Sequence, residues 1–465
     1  MSFFLGRILD VLGRGGDAPA FVRDGHTTTY AQARELLLRL HGTVEEGGVG
    51  EGDLVAVLGG NRPETVLGQL AVQLRGASVL LVPESASRSA RAEVLAGVTA
   101  CLAEPGREPD GARRVIPLRP SEKDTVNEPG ELPPSVHTVF ASGGTTGRPK
   151  LISHRGIYDG MAHIFQPDPL GPNRVLLVAP LSHLTGNCAV LGALLCGDTV
   201  VLHEGFEAGA VLDAIARHRI TRLTLTPPRL AKVLDHPALP GTDVSSVRGL
   251  SLGASPLPAR RLGQALATFG PVVGQGYGLT EAPMIASIAP EEYEGRPERL
   301  RSVGRIVPGM EARIDDGEVL VRGLALMEGY HDSPELTEQA FTDGWLRTGD
   351  LGRFDAEGYL YLLDRADDVI VTGEHGTKVY STVVEDAIVA HPRVRQAAVL
   401  GVDGPDGRLV HAVVAAEPGL TADMVRAHVR RVLGGEHFVP ASVDFVPALP
   451  VTPIGKIDKA ALRRS

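Results

Sequence analysis

An α/β fold divided into at least two domains is the architecture this sequence predicts, and three observations carry it. Strand-like and helix-like segments alternate through the first two-thirds of the chain. The chain has 465 residues, beyond the size at which one hydrophobic core usually stops growing. Its composition, 43% hydrophobic and 22% charged, is ordinary for a soluble globular protein.

The elements follow in order. Leu54 to Leu58 is a short apolar strand run. A helix opens at Pro63, with Leu67, Leu70, Ala71 and Leu74 at i, i+3, i+4 and i+7. Val79 to Val82 reads as the next buried strand, and this βαβ rhythm predicts parallel sheet covered by helices. Later strand candidates are Val175 to Val178, Thr199 to Leu202, Leu223 to Leu225 and Leu250 to Leu252. Pro120 to Pro134 is rich in Pro, Glu and Asp, lacks periodicity and reads as a connector. A domain boundary fits best near Asp364 to Asp367. Beyond it, Val384, Ala387, Ile388 and His391 have helical spacing, and Val410 to Ala415 looks like a strand.

Charge and cysteine content narrow the function classes. With 46 basic and 56 acidic residues the net charge is −10, which argues against nucleic acid or an anionic membrane as main partner. Cys101, Cys188 and Cys196 are an odd set without a C-x-x-C pair, so neither a disulfide framework nor a zinc site is supported. Cys188 and Cys196 sit in an apolar stretch and are expected to be buried thiols. The N-terminus makes a poor signal peptide and no apolar run approaches membrane-helix length, so a cytoplasmic location is expected.

The run Ser142, Gly143, Gly144, Thr145, Thr146, Gly147, Arg148, Pro149, Lys150 is the most informative in the chain. Its glycines let backbone approach a ligand, and its hydroxyls and cations suit a polyphosphate. It departs from the usual P-loop, which needs Gly-Lys followed by Ser or Thr. Alone, the run also admits a blander reading as a Gly/Thr surface turn. Four more segments follow: Gly276-Tyr277-Gly278-Leu279-Thr280-Glu281, Trp345 to Asp350, Asp364-Arg365-Ala366-Asp367-Asp368, and Pro453-Ile454-Gly455-Lys456-Ile457-Asp458. Taken one at a time, these also have bland readings. Tyr277 could be core packing, Asp350 a turn cap, Asp367 a solvated turn acid, Glu281 a surface acid and Lys456 a tail charge.

In this order and at these separations the five motifs resemble the adenylate-forming superfamily: acyl- and aryl-CoA synthetases, luciferases and peptide-synthetase adenylation domains. The resemblance spans nearly the whole chain. It implies a large N-terminal domain of several subdomains (residues 1–364), a hinge at 365–367 centred on Asp367, and a small mobile α/β C-terminal domain (368–465) carrying the catalytic lysine. It implies ATP and Mg²⁺ as cofactors, with CoA as a further candidate. Lys150, Arg365 and Lys456 would supply the local positive charge that an acidic chain otherwise lacks.

Residue by residue, the resemblance implies that Ser142 to Lys150 grips the β- and γ-phosphates and that Glu281 helps hold Mg²⁺. Thr146, Lys150, Glu281 and Lys456 would be the catalytic set. Tyr277 offers a face for adenine, and Gly253, Ala254 and Ser255 run along the purine edge, with Gly276, Gly278 and Thr280 nearby. Asp350 and Arg365 would take the ribose. Lys456 would enter from the small domain to bridge carboxylate and α-phosphate. Pro180 to Gly186 matches the segment where CoA synthetases carry Pro-x-x-His, so His183 and Gly186, with Thr226, Gly274 and Gln275, should line the acid pocket. No aspartate stands there to pair with a substrate ammonium, which disfavours an ordinary α-amino acid. Trp345 looks structural.

One departure bears on the second half-reaction. Thioester-forming relatives commonly read Gly-Gly-Glu-Asn, an apolar-aromatic pair and Pro-x-Glu after the hinge, whereas this chain has Gly373 to Val383 with the loop lengthened and the proline and glutamate replaced. The leading expectation is ATP-dependent activation of an aryl or acyl acid, passed to CoA or a carrier-protein thiol. The alternative is a member that activates nitrite and diazotises an aromatic amine. A non-catalytic nucleotide sensor would lack a charge-handling residue, yet Lys150, Glu281, Asp350, Arg365 and Lys456 are all present. The partners implied are a small-molecule acid and a thiol, with no nucleic acid or membrane, in a monomer or homodimer.

Overall fold

The βαβ rhythm read at residues 54–82 is realised as adjacent parallel strands, Leu54–Leu58 and Ser78–Val82, crossed by the helix Pro63–Leu74. Proline suits the first helical position, where its missing N–H has no intrahelical partner to lose. The computed structural model describes all residues except 84–87, 105, 107–108, 110–113, 121–125, 127, 143–149, 374–375, 405–406, 454 and 465. Among the described residues two large sheets dominate. The seven-stranded sheet runs Gly329–Tyr330, Lys150–Arg155, His137–Ser142, Ser78–Val82, Leu54–Leu58, Ala100–Ala103, Val115–Pro117. Its last five strands are mutually parallel.

The nine-stranded sheet has a parallel centre ordered Val273–Tyr277, Gly249–Gly253, Arg222–Leu225, Arg174–Leu177, Thr199–Leu202, Pro19–Arg23. Antiparallel strands close its edges. Helices Phe3–Arg14, Tyr30–Glu46, Pro63–Leu74 and Leu184–Leu195 lie between the two sheets. Their apolar faces share one core with Val55, Val57 and Leu81 on one side and Phe21, Val200 and Leu202 on the other. A helix buried on two sides reads as nearly continuous apolar sequence, as Leu184–Leu195 does.

A five-stranded antiparallel sheet follows and ends in the strand Leu360–Arg365, paired to Trp345–Phe354. A separate apolar core starts at Ile370 and includes Val384, Ile388, Val399, Val414 and Val429. It belongs to a small lobe in which Ser381–Val389 and Ala422–Leu433 pack on the strands Val394–Gly404, Gly407–Ala416 and Ser442–Phe445. Trp345 is structural, its ring covered by the guanidinium groups of Arg313 and Arg322 at 4.9 and 4.4 Å.

Three local expectations need correction. The helix expected to reach His391 stops at Val389, because Pro392 disfavours helical backbone in the residue before it. The strand at Val175 ends at Leu177 rather than Val178, just before Ala179-Pro180. Cys188 and Cys196 are half-buried rather than buried, and only Cys101 of the three is fully enclosed. The apolar stretch that holds Cys188 is a helix with Val190, Leu191, Leu194 and Leu195 in the core, while Cys188 faces the large cleft described below. Much of the Pro120–Pro134 connector lies outside the described residues. Among the described residues no helix is long and apolar enough to cross a membrane.

Candidate active site

The strand ends of the nine-stranded sheet open into a cleft bounded by both lobes. Its volume, about 3170 Å³, exceeds the several hundred Å³ of a single small-ligand pocket and leaves room for two reactants. Gly253, Ala254, Ser255, Gly276, Tyr277, Gly278, Thr280, Glu281, Asp350, Arg365, Asp367, Lys150 and Lys456 all line it, as do His183, Thr226, Gly274 and Gln275. Gly143, Gly144, Thr145, Thr146 and Gly147 lie outside the described residues, and so does the Ser142 side chain. The strands on either side of that run are paired, with Ser142 opposite Lys150.

Glycine is required where two strands feed the cleft. Gly253 lies opposite Gly276 in parallel register, and a Cβ on Gly253 would come within 2.7 Å of the Gly276 carbonyl. Ala254 then turns the chain at φ +68°, a left-handed conformation unusual for a residue with a Cβ. Such outliers concentrate at functional sites. A Cβ on Gly278 would clash at 2.2 Å with the Pro283 carbonyl, so the turn before Glu281 folds tightly back on itself.

The two carboxylates are held differently. Asp350 is buried, and each of its oxygens accepts a hydrogen bond: Tyr277 donates its hydroxyl to Oδ2 at 2.6 Å, and Arg365 donates to Oδ1 at 2.9 Å. Arg365 also donates to the Thr348 carbonyl at 2.9 Å. Its guanidinium lies against Gly349, where a Cβ would approach within 3.0 Å. Burial, then the neighbouring Asp350 charge, keeps the Tyr277 phenol protonated well above its ordinary pKa. Among the described residues Glu281 accepts one side-chain hydrogen bond, from the Tyr330 hydroxyl at 3.0 Å on Oε1. The Lys150 ammonium sits 4.9 Å above the same Tyr330 ring. Behind them, His154 donates from Nε2 to the Thr280 carbonyl at 2.6 Å, which braces the turn.

Lys456 arrives from the small lobe on a loop docked against the large one. Thr226 donates to the Gly455 carbonyl at 3.0 Å and Arg229 to the Pro453 carbonyl at 3.0 Å. Gly455 is needed twice over: its φ is +80°, and a Cβ there would lie 2.6 Å from Arg229 Nε and 2.9 Å from Thr226 Oγ1. Burial lowers the Lys456 pKa, with Asp350 opposing, Arg365 reinforcing and Glu281 opposing. His183 precedes the helix Leu184–Leu195. Burial, followed by the charges of Lys456 and Arg229, pushes its pKa down to about 4, so the imidazole is neutral.

Gly186, expected in the acid pocket, lies beneath the cleft surface instead. It is buried, and a Cβ there would meet the Pro180 carbonyl at 2.4 Å, so it is a packing glycine inside the helix. Asp367 is exposed in the turn Ala366–Asp368 that links the lobes. Sequence reading missed Tyr330 and Arg229. A tyrosine between Gly329 and His331 carries no local signal. Arg229 follows Pro227-Pro228 at a helix start, where a cation is unfavourable against the helix dipole and so needs another purpose.

The residues present fit ATP with a divalent cation. Among the described residues no three His, Cys, Asp or Glu side chains converge on one point, so an all-protein metal cage is absent there. Glu281 nonetheless presents a carboxylate to the cleft, held among the described residues through Oε1 alone. That donor set suits Mg²⁺, which takes one or two carboxylates and completes its shell with substrate phosphates and water.

Comparison with known proteins agrees with this geometry. Residues 10–331 match the family model described as AMP-binding enzyme, and 383–456 match the AMP-binding enzyme C-terminal domain. A feruloyl-CoA synthase of an Amycolatopsis species is 33% identical over 486 aligned positions, covering 95% of each chain. The structure of the amide bond synthetase of Marinactinospora thermotolerans superposes with TM-score 0.86 at 35% identity, over 99% of both chains. The o-succinylbenzoate coenzyme A synthetase of Bacillus subtilis, solved with ATP and magnesium ion, gives 0.82 at 27% identity over 97% of this chain and 98% of that one.

Proposed function

The chain belongs to the adenylate-forming AMP-binding enzymes, and from that premise we propose that it activates an aryl or acyl carboxylic acid with ATP. One carboxylate oxygen attacks the α-phosphorus, the bond to the bridging oxygen breaks, and pyrophosphate leaves. A nucleophile then attacks the acyl carbon, loses its proton and displaces AMP. The observation that carries the reading is the docked loop, which delivers Lys456 from the small lobe into the cleft shared by Asp350, Arg365 and Glu281.

The roles follow from charge. Two anions must meet, so Lys456 lies between the incoming carboxylate and the α-phosphate and neutralises both. Asp350, already oriented by Tyr277 and Arg365, accepts from ribose hydroxyls. Lys150, with the run beginning at Ser142, binds the outer phosphates. Glu281 holds Mg²⁺, which supplies charge neutralisation at the phosphates. Neutral His183 faces the acid pocket as a hydrogen-bonding group rather than a cation. Asp367 serves as the hinge between a body of residues 1–364 and a mobile lobe of 368–465.

For the acceptor, a CoA or carrier-protein thiol is the first reading, as in the feruloyl-CoA synthase. A second reading, an amine acceptor giving an amide, is favoured by the departure at Gly373–Val383 and by the amide bond synthetase covering 99% of the chain. The test is acid-dependent pyrophosphate exchange with aromatic, amino-aromatic and aliphatic acids, plus a nitrite arm. Product masses with CoA or a primary amine then follow. Exchange with an aromatic or acyl acid is expected; its absence with every acid would overturn the reading.

A further inference from the structure

Two helices on opposite sides of the lobe boundary start without a side-chain cap of their own. Ala259–Phe269 in the large lobe starts after Pro258, which has no side-chain acceptor, and Ser381–Val389 in the small lobe follows Tyr380 without a side-chain cap. N–H groups at a helix start and C=O groups at its end need outside partners. The end dipoles favour an acid at the first and a base at the second.

Here the partners come from the other lobe. Asp386 Oδ1 accepts from the Ala259 N–H at 3.0 Å, while Oδ2 accepts from Arg301 Nε at 2.8 Å. In return Arg260, on the helix that Asp386 caps, donates to the carbonyls of Val389 and Val394. Arg261, gripped by Asp235 at 2.6 and 2.8 Å, donates to the Arg395 carbonyl at 2.7 Å. On the strand just before the hinge, Asp364 accepts from the backbone N–H of Ser381 and, at 3.1 Å, from its hydroxyl. Each lobe therefore completes a helix of the other. Turning the small lobe about residues 365–367 would strip those helix ends together.

We propose that Asp386 and Arg260 are positioning residues whose reciprocal capping latches the small lobe in the orientation that delivers Lys456. The latch thereby sets how the enzyme divides its time between forming the adenylate and passing the acyl group on. The proposal rests on the adenylate-forming reading above. Both act by biasing which lobe arrangement is populated.

The test compares full-length Asp386→Ala and Arg260→Ala with the parent in two half-reactions. One is acid-dependent pyrophosphate exchange. The other is single-turnover consumption of supplied acyl-adenylate, made from the acid that the parent selects, by CoA or, where CoA gives no product, by a primary amine. Exchange should fall about tenfold, the weight of a charged hydrogen bond, with consumption of supplied adenylate within about twofold of the parent. Equal falls in both, or no fall in exchange, would overturn the latch. Arg301→Ala alters a side chain that is 61% exposed and spares the fold, so a smaller loss of the same selective kind is expected from it. If the parent exchanges with no acid, the functional reading fails instead. The latch is then judged by small-angle scattering, where a widened envelope for Asp386→Ala supports it and an unchanged one sinks it.

Discussion

Lys456 and Lys459 stand three residues apart on one C-terminal segment, and their surroundings set them to opposite tasks. Lys459 donates to Ser381 Oγ at 2.8 Å, lies 2.9 Å from Glu385 Oε1 and is 3.7 Å from Asp368. Burial opposes its charge, but Glu385 and Asp368 outweigh that and hold its pKa up. Among the described residues Lys456 has no such carboxylate, and burial leaves its pKa below the ordinary lysine value. Lys459 anchors the tail. Lys456 feels Asp350 and Glu281 without an ion pair among the described residues, which suits the proposed pairing with an incoming anion.

Mutating each lysine breaks the comparison most directly. Lys456→Ala should slow adenylate formation by about 10²–10³, as for loss of one transition-state donor. The same variant should leave the unfolding free energy within about 0.5 kcal/mol of the parent. Pyrophosphate exchange and a urea melt read the two effects, and near-parent exchange would remove Lys456 from its role. Lys459→Ala should show the reverse emphasis. It strands the buried Glu385 and should cost about 2–4 kcal/mol of small-lobe stability, visible in the same melt.

Titration sharpens the contrast. Because the Lys456 pKa is lowered, its charge is lost as pH rises through a value below the ordinary lysine range, and adenylation should decline there. Lys456→Arg stays charged and should flatten that alkaline fall at a lower overall rate, whereas Lys459→Arg should leave it in place. The smallest effect concerns His183, held at about 4 by burial first and Lys456 second. The unfolded chain binds the extra proton between pH 6.5 and about 4, so this site's contribution to stability is present above 6.5 and lost as pH falls through that window. Lys456→Ala should raise the His183 pKa, followed by NMR with His183→Gln for assignment, and Lys459→Ala should not. An unmoved His183 would separate the two groups.

The parallel-rich α/β body was legible because strand and helix periods are written locally, as at Leu54–Leu58 and Pro63–Leu74. Residues that line the cleft were legible where glycines and charges cluster within one motif, as at residues 276–281. Contacts between distant segments were not. Tyr330 reaches Glu281 across 49 residues of chain, and Asp386 looks like any exposed helix acid until Ala259 is found beside it. Pro258 was the overlooked clue, since a helix begun without a side-chain acceptor must find one elsewhere. Gly186 misled for a related reason: a glycine beside a motif histidine can mark room for a ligand or a tight backbone crossing, and only the nearby Pro180 carbonyl decides between them.

The exchanged helix caps carry a consequence for protein engineering. On the proposed latch, a foreign C-terminal module grafted onto this body should work best where the donor brings an acid to meet Ala259 and open carbonyls to receive Arg260. A splice chosen by linker length alone would join two modules that each leave the other's helix frayed.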